Sequence, residues 1–349
     1  MEELRLVIAK SLADEYVERL KSADPRVAVS YEPELLAPMR WPSDHRGDPK
    51  FTRTPEQQAR FDRLLAEADI LYSFPNTDPA ELARVVHTNP KLKWVHIMAA
   101  GGGSAVKAAK LSDDELKRVV FTTSAGVHAG TLAEFALFGV LAGAKELPRL
   151  EADKKRHHWP TSRRTMGMVS EMTIVVVGMG AIGQECAKRF ADLGARVIGV
   201  NRSIKPVDAV EMLYTSDQII EAASGADALV NALPGAVGTE GLISRGVLEA
   251  LAPGAIIASV GRGQCIDEPA MIELLGSGQL GFAALDVVET EPLPSDNPLW
   301  DLPNVVISPH TAANSAKEDS RIVDLFLENL KGFLDGQKMR NVVNTELFY

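Results

Sequence analysis

The chain of 349 residues is 46% hydrophobic and 24% charged, long enough for about two domains and unlike a disordered, collagen-like or short-repeat chain. Its net charge of −10 argues against nucleic-acid binding, which needs an excess of Lys and Arg, but leaves room for a small anionic substrate at a local positive site. No run approaches the roughly 18 apolar residues of a membrane span, the acidic Met1-Glu2-Glu3 start does not read as a signal peptide, and Cys186 and Cys265 make no disulfide framework, so no membrane partner and a cytoplasmic setting are expected.

Apolar runs and helical stretches alternate from the start. Strands are predicted at Leu4–Ala9, Val27–Ser30, Ile70–Phe74, Trp94–Met98 and Val119–Thr123, with helical stretches such as Pro79–His87 between them. This βαβ rhythm predicts a parallel sheet covered on both faces. Ala37–Pro55, rich in Pro, Asp and Arg, interrupts it and reads as a long surface loop. A helix follows at about Thr131–Lys145. Beyond it lies a basic patch of Lys154, Lys155, Arg156, His157, His158, Trp159, Arg163 and Arg164. The patch reads most simply as a solvated helix end and loop, and otherwise as a cleft lining or subunit contact.

A second rhythm has strands at Ile174–Val177, Val197–Val200, Ala228–Asn231, Ile256–Ser259, Ala283–Val287 and Val305–Ser308. Six strands with helical crossovers match two mononucleotide-binding halves. The last helix, about Ser315–Asp335, is long enough to pack back onto the first domain. The expected fold class is α/β, with two Rossmann-like doubly wound parallel-sheet domains and an active-site cleft between them. Residues 1–122 with 315–349 would form a substrate domain, and 123–314 a dinucleotide-binding domain.

Gly178-Met179-Gly180-Ala181-Ile182-Gly183 is a GxGxxG between a strand, TIVVV, and a helix, GQECAKRFADLG. Gly178 allows the tight turn, Gly180 lets the backbone approach a pyrophosphate, and Gly183 lets helix and strand pack closely. The helix N-terminus, opening at Ala181 and Ile182, offers free N–H groups to phosphates. The next strand ends at Asn201-Arg202-Ser203, where an NAD-preferring site usually has Asp or Glu. A guanidinium there suits a 2′-phosphate, so NADP is expected ahead of NAD. The bland alternative is that Arg202 stacks on adenine or caps the strand, with use of both cofactors.

Ligands in open α/β sheets bind at the carboxyl ends of the strands. The third strand stops at Leu233-Pro234, a small apolar bed for a cofactor. The fourth runs through Val260, a further expected cofactor contact, into Gly261-Arg262-Gly263. The fifth ends at Asp286, with Glu289 and Glu291 beyond, and the sixth at Pro309-His310-Thr311. Each of Arg262, Glu291 and His310 has a bland reading alone, as a surface, loop or helix-start residue. Together they leave the same sheet edge as the glycine loop.

These stretches, VVVGMGAIG, ALPGAVGTEGLIS, IIASVGRG, FAALDVVETEPLP and NPLWDLPNVVISPHTA, resemble the D-isomer-specific 2-hydroxyacid dehydrogenases. The likeness is strongest from about Thr173 to Ala313. It implies catalysis by Arg262, Glu291 and His310, and a nicotinamide amide held by Asp286. It also implies a substrate carboxylate bound by backbone N–H groups around Ala100, Gly101 and Gly102, in the Ala99–Gly103 segment, and a homodimer. The chemistry suits the residue types. His310 as imidazolium would protonate the carbonyl oxygen of a 2-oxo acid, Glu291 would favour that charged form, and Arg262 would bind the carboxylate and polarise the carbonyl. The small-molecule partner is then a 2-oxo or 2-hydroxy acid. Ser259 stands where many members have Asn, which leaves the bracing of the Arg262 loop open. Two rivals remain: a formate dehydrogenase, which would carry Gln at Glu291, and a dinucleotide-sensing regulatory protein that keeps the same residues. No zinc site is expected, since there is no CxxC or HExxH and His157 and His158 are adjacent.

Overall fold

Val, Ile and Leu run through Ile174–Val177 and Leu6–Ile8 without polar alternation, the pattern of parallel strands buried on both faces. A computed structural model, describing residues 3–42, 44–235 and 238–348, forms the two sheets that this pattern requires. Met1 and Glu2 of the acidic start, and Ala236 and Val237 of the ALPGAVGTEGLIS stretch, lie outside the described residues. The chain divides into one unit of residues 1–128 with 314–349 and a second of 129–313. The first crossing falls where helix Ala129–Ala144 begins.

The first unit holds β1 (Leu4–Ile8), β2 (Val27–Ser30), β3 (Ile70–Tyr72), β4 (Trp94–Ile97) and β5 (Val120–Thr123), all parallel, in the order β2-β1-β3-β4-β5. Successive side chains face opposite sides. Val7, Leu71, Val95 and Phe121 pack with Phe61, Leu82 and Val86. Leu6, Ile8, Ile70 and Trp94 pack with Ile322, Phe326 and Leu330 of helix Glu318–Leu334. Trp94 stacks on Phe326 at 4.6 Å. The long helix thus returns to the first sheet and covers its second face. The Ala37–Pro55 loop is tied down by two side chains. Buried Asp44 accepts from Arg40 Nε at 2.7 Å and from the Gly47 N–H, and His45 Nε2 lies 2.9 Å from Glu318 Oε1. Thr54 then starts helix Pro55–Ala66 with a capping box to Gln57.

The second unit has β6 (Thr173–Val177), β7 (Arg196–Asn201), β8 (Met212–Thr215), β9 (Ala228–Asn231), β10 (Ala255–Ser259), β11 (Leu280–Leu285) and β12 (Val305–Ile307). They form one parallel sheet in the order β12-β11-β10-β9-β6-β7-β8. β8 is a seventh strand beyond the six expected. It is a four-residue edge strand, MLYT, with no fully buried residue, so it lacks the apolar run that marks the others. Helices on both faces bury the sheet, with Val175, Leu229 and Ile257 on one side and Ile174, Val176 and Ala258 on the other. Cys186 is fully buried in the second of these cores, where burial pushes its thiol up to about 12. Among the described residues no helix is long and apolar enough to cross a membrane.

Candidate functional site

The order of the second sheet reverses beside β6, and the loops leaving the carboxyl ends of its strands gather the residues singled out above. Gly178 adopts φ +98°, and its N–H donates to the Val200 carbonyl at 2.8 Å. A methyl group on Gly183 would sit 1.8 Å from the Gly178 carbonyl oxygen, so only glycine lets helix Ala181–Asp192 approach the turn. Above Gly180, by contrast, an added carbon would meet nothing within 4 Å. The N–H groups of Ala181, Ile182 and Gly183, first in a 12-residue helix, have no intrahelical carbonyl to meet. This tight turn, open cradle and helix start together fit a pyrophosphate. At the end of β7 Asn201 Nδ2 donates to the Ser203 carbonyl at 3.2 Å, and Arg202 and Ser203 are exposed.

Leu233 is buried and Pro234 exposed beyond β9. Beyond β10, Val260 is buried and its N–H donates to the Asn231 carbonyl. Arg262 is exposed between two buried glycines. A methyl group on Gly261 would come 2.5 Å from the Leu233 carbonyl oxygen, and one on Gly263 would come 2.0 Å from the Val288 carbonyl. The backbone on either side of Arg262 is therefore clamped against its neighbours. Its Nη1 donates to the Gly261 carbonyl at 2.8 Å.

His310 and Glu291 meet. His310 Nδ1 lies 2.6 Å from Glu291 Oε2, and Glu291 Oε1 accepts from the Val288 N–H at 3.3 Å. His310 has φ +55°, a left-handed conformation that costs a non-glycine residue energy and persists where the surroundings enforce it. Asp286 does the enforcing. It is buried, and its Oδ1 accepts from Ser308 Oγ at 2.7 Å, from the Thr311 N–H at 2.9 Å and from the Ala312 N–H at 2.8 Å. The Asp286 carbonyl takes the His310 N–H. The visible work of Asp286 is thus to shape the turn that carries His310.

In the first unit Ala100 and Gly101 are exposed and Gly102 is buried, in a loop between β4 and helix Gly103–Ala108. Among the described residues the N–H groups of Ala100, Gly101 and Gly102 meet no backbone carbonyl. On the neighbouring strand end Ser73, Asn76 and Thr77 all have positive φ, a cluster of strained backbone with no sequence signature.

Two further residues escaped the sequence reading. Asn231, fully buried, reaches the Ser259 hydroxyl and the Arg262 carbonyl. Glu268, also buried, accepts from the Glu289 N–H at 2.8 Å and from Asn297 Nδ2 at 3.1 Å. The available signal was a lone polar residue closing an apolar strand, as in ALVN. The basic patch follows helix Leu147–Lys155, with Arg156 and His158 on Asp153 and Trp159 92% exposed.

A family model described as D-isomer specific 2-hydroxyacid dehydrogenase, NAD binding domain, matches residues 137–312. The chain is 32% identical over 287 residues to a D-3-phosphoglycerate dehydrogenase of Mycobacterium tuberculosis, covering 81% of this chain and 53% of that protein. It thus spans about half the length of these curated relatives. It is also 32% identical over 278 residues to a glyoxylate reductase of Korarchaeum cryptofilum, covering 78% of this chain and 81% of that one. Among solved structures it resembles a D-isomer specific 2-hydroxyacid dehydrogenase from Xanthobacter autotrophicus in complex with NADPH and MES. That likeness has 26% identity and a TM-score of 0.77, over 99% of this chain and 100% of that one. An NADPH-dependent glyoxylate/hydroxypyruvate reductase from Sinorhizobium meliloti, in complex with NADP and sulfate, is 25% identical with a TM-score of 0.75, over 99% and 100% of the two chains.

Proposed function

The chain belongs to the D-isomer-specific 2-hydroxyacid dehydrogenase family, and from that membership we propose that it reduces a 2-oxo acid to the D-2-hydroxy acid with a nicotinamide dinucleotide, NADPH ahead of NADH. The observation that carries this reading is the 2.6 Å His310–Glu291 pair, on the strand edge that also presents Arg262 and the glycine turn. The relatives reported above are named as dehydrogenases and reductases, which favours this reading over a regulatory protein that keeps the same residues.

Gly178, Gly180 and Gly183, with the N–H groups of Ala181 and Ile182, would hold the pyrophosphate. Leu233, Pro234 and Val260 would lie under the nicotinamide half, and Asn201, Arg202 and Ser203 would meet the adenosine ribose. Bound in its reduced form, the nicotinamide supplies the hydride. Because Nδ1 of His310 faces Glu291, Nε2 is the nitrogen left to give its proton to the carbonyl oxygen as that oxygen gains charge. Glu291 holds the imidazole ring by its Nδ1 in the orientation that this step needs. Arg262 pairs with the acid's carboxylate and polarises its carbonyl. The N–H groups of Ala100, Gly101 and Gly102 are the further carboxylate donors that the resemblance implies. Asp286 keeps the His310 turn in shape through Oδ1, and its other oxygen would take the nicotinamide amide. A homodimer, which the family resemblance implies, would have Phe138, Leu150, Trp159, Met166 and Met168 among the exposed apolar side chains of the second unit to cover.

The reading is tested with glyoxylate, pyruvate, hydroxypyruvate, phenylpyruvate and branched-chain 2-oxo acids, each with NADPH and with NADH. At least one acid should be reduced. His310→Ala should lower kcat about 10²–10⁴-fold, the usual worth of a general acid, while dinucleotide binding persists. Because reduction takes up a proton, it should be favoured at lower pH and oxidation of the hydroxy acid at higher pH, and Glu291→Gln, which loosens the hold on His310 Nδ1, should lower kcat about tenfold or more. Unchanged turnover in His310→Ala would sink the assignment.

A further inference from the structure

Arg262 is exposed, and a long side chain acts on a small substrate with fidelity only if its backbone is held. The two clamped glycines hold the chain sideways, and the Arg262 carbonyl is held from two directions. It accepts from the Cys265 N–H of the following turn at 3.2 Å and, from the neighbouring strand, from Asn231 Nδ2 at 3.0 Å. The same nitrogen donates to Ser259 Oγ at 3.1 Å, and Asn231 Oδ1 accepts from the Leu233 N–H at 3.1 Å. The orientation of the amide is unambiguous, since an N–H can only donate and a backbone carbonyl can only accept. Asn231 is fully buried, so solvent cannot replace these bonds.

Asn231 and Ser259 are register partners across the parallel β9–β10 pair. Their side chains leave neighbouring strand ends close enough for the Asn231 amide to meet the Ser259 hydroxyl.

We propose that Asn231 is the positioning residue for Arg262, an amide at the end of β9 that ties the substrate-binding arginine on the β10 loop to the Leu233-Pro234 bed. The kinetic part of this inference rests on the proposed reductase activity; the bracing itself does not. Substituting serine for Asn231 removes three side-chain hydrogen bonds and leaves the Arg262 carbonyl held by the Cys265 N–H alone. Exchanging the pair, with Asn231→Ser and Ser259→Asn together, returns one amide to the pair from the other strand.

The test compares the unaltered full chain with Asn231→Ser and with the double exchange. Hydrogen exchange followed by mass spectrometry should show residues 259–265 losing protection roughly three- to tenfold in Asn231→Ser, the scale of one backbone-anchoring hydrogen bond. The double exchange should restore it. With glyoxylate, or whichever 2-oxo acid is turned over, kcat/KM should fall about 10- to 100-fold, the cost of a misplaced catalytic group. The NADPH dissociation constant should change less than kcat/KM does, because the phosphate turn is untouched while the Leu233 bed loses one hydrogen bond. The double exchange should recover most of the turnover. If Asn231→Ser does not fold, Asn231→Asp decides the matter, since it keeps the shape and the Leu233 bond but turns an oxygen toward the Arg262 carbonyl. Protection and turnover equal to the unaltered protein in these variants would overturn the proposal, as would a double exchange no better than the single. Failure of the unaltered chain to reduce any 2-oxo acid would count against the reductase reading alone, and hydrogen exchange would still decide the brace.

Discussion

On the proposed reading, Asn201, Arg202 and Ser203 at the end of β7 would meet a dinucleotide at its adenosine end. A 2′-phosphate carries roughly two negative charges near neutral pH, and a guanidinium meets it with two parallel N–H bonds. One charge-assisted hydrogen bond contributes about 1.5–3 kcal/mol, or roughly 10- to 150-fold in affinity. Arg202 is exposed, so solvent holds its effect to the lower end of that range. Arg202→Ala should cost NADPH about tenfold or more in kcat/KM and NADH about threefold or less. Steady-state kinetics with both cofactors decide it. Equal losses would mean that Arg202 reads the adenine, and an NADH preference in the unaltered chain would remove the assignment.

Single elements carry the reactive groups by their ends, and helix Glu268–Ser277 carries one it does not contain. Asp267 caps this helix through the Ala270 N–H, and Glu268 is its first residue. A carboxylate at that place is favoured by the helix dipole. It holds the Glu289 N–H and the Asn297 amide, so the loop bearing Glu291 hangs from the helix start. Loss of the carboxylate would leave the Glu289 N–H and the Asn297 amide without this partner and Glu291 free to move away from His310. Glu268→Ala should therefore reproduce part of the Glu291→Gln loss, with kcat falling about tenfold in a folded variant. An unchanged kcat with lowered stability in urea would reduce Glu268 to a stability role.

Over the whole molecule, acid sensitivity is concentrated in the first unit. His96 is fully buried between Thr122 and Ser124, and burial pushes it down to about 3. Unfolding returns it to its ordinary value of 6.5. The unfolded chain therefore binds the extra proton below 6.5, and stability held above that pH is lost as pH falls from 6.5 toward 3. Glu318 adds to this at lower pH. Burial pushes it up, but hydrogen bonds from His128 and His45 prevail and hold it at about 2, so its contribution is lost between 4.5 and 2. Urea unfolding at pH 5, 6, 7 and 8 should show stability falling toward pH 5 by at most about 1.4 kcal/mol per unit from His96. The fall should be shallower in His96→Gln. Identical slopes would assign the acid sensitivity elsewhere.

Much of this was local and so was legible in the amino-acid order. Uninterrupted Val and Ile runs alternating with helical stretches determine parallel sheets, because only strands covered on both faces tolerate them. GMGAIG between a strand and a helix determines the turn, since no Cβ fits at Gly183. The placing of Arg262, Glu291 and His310 just past strand ends follows from the same rhythm. Edge strand β8 was not legible, because one exposed and three half-buried residues carry no periodic signal. Nor was the brace on Arg262, whose donor lies 31 residues away and 28 from Ser259. Parallel register brings such residues together only after a helical crossover has formed, and no window along the chain contains both. The left-handed turn at His310 was hidden for the same reason. Its cause is a carboxylate 24 residues earlier in the chain, Asp286, which the parallel pairing of β11 with β12 sets beneath it.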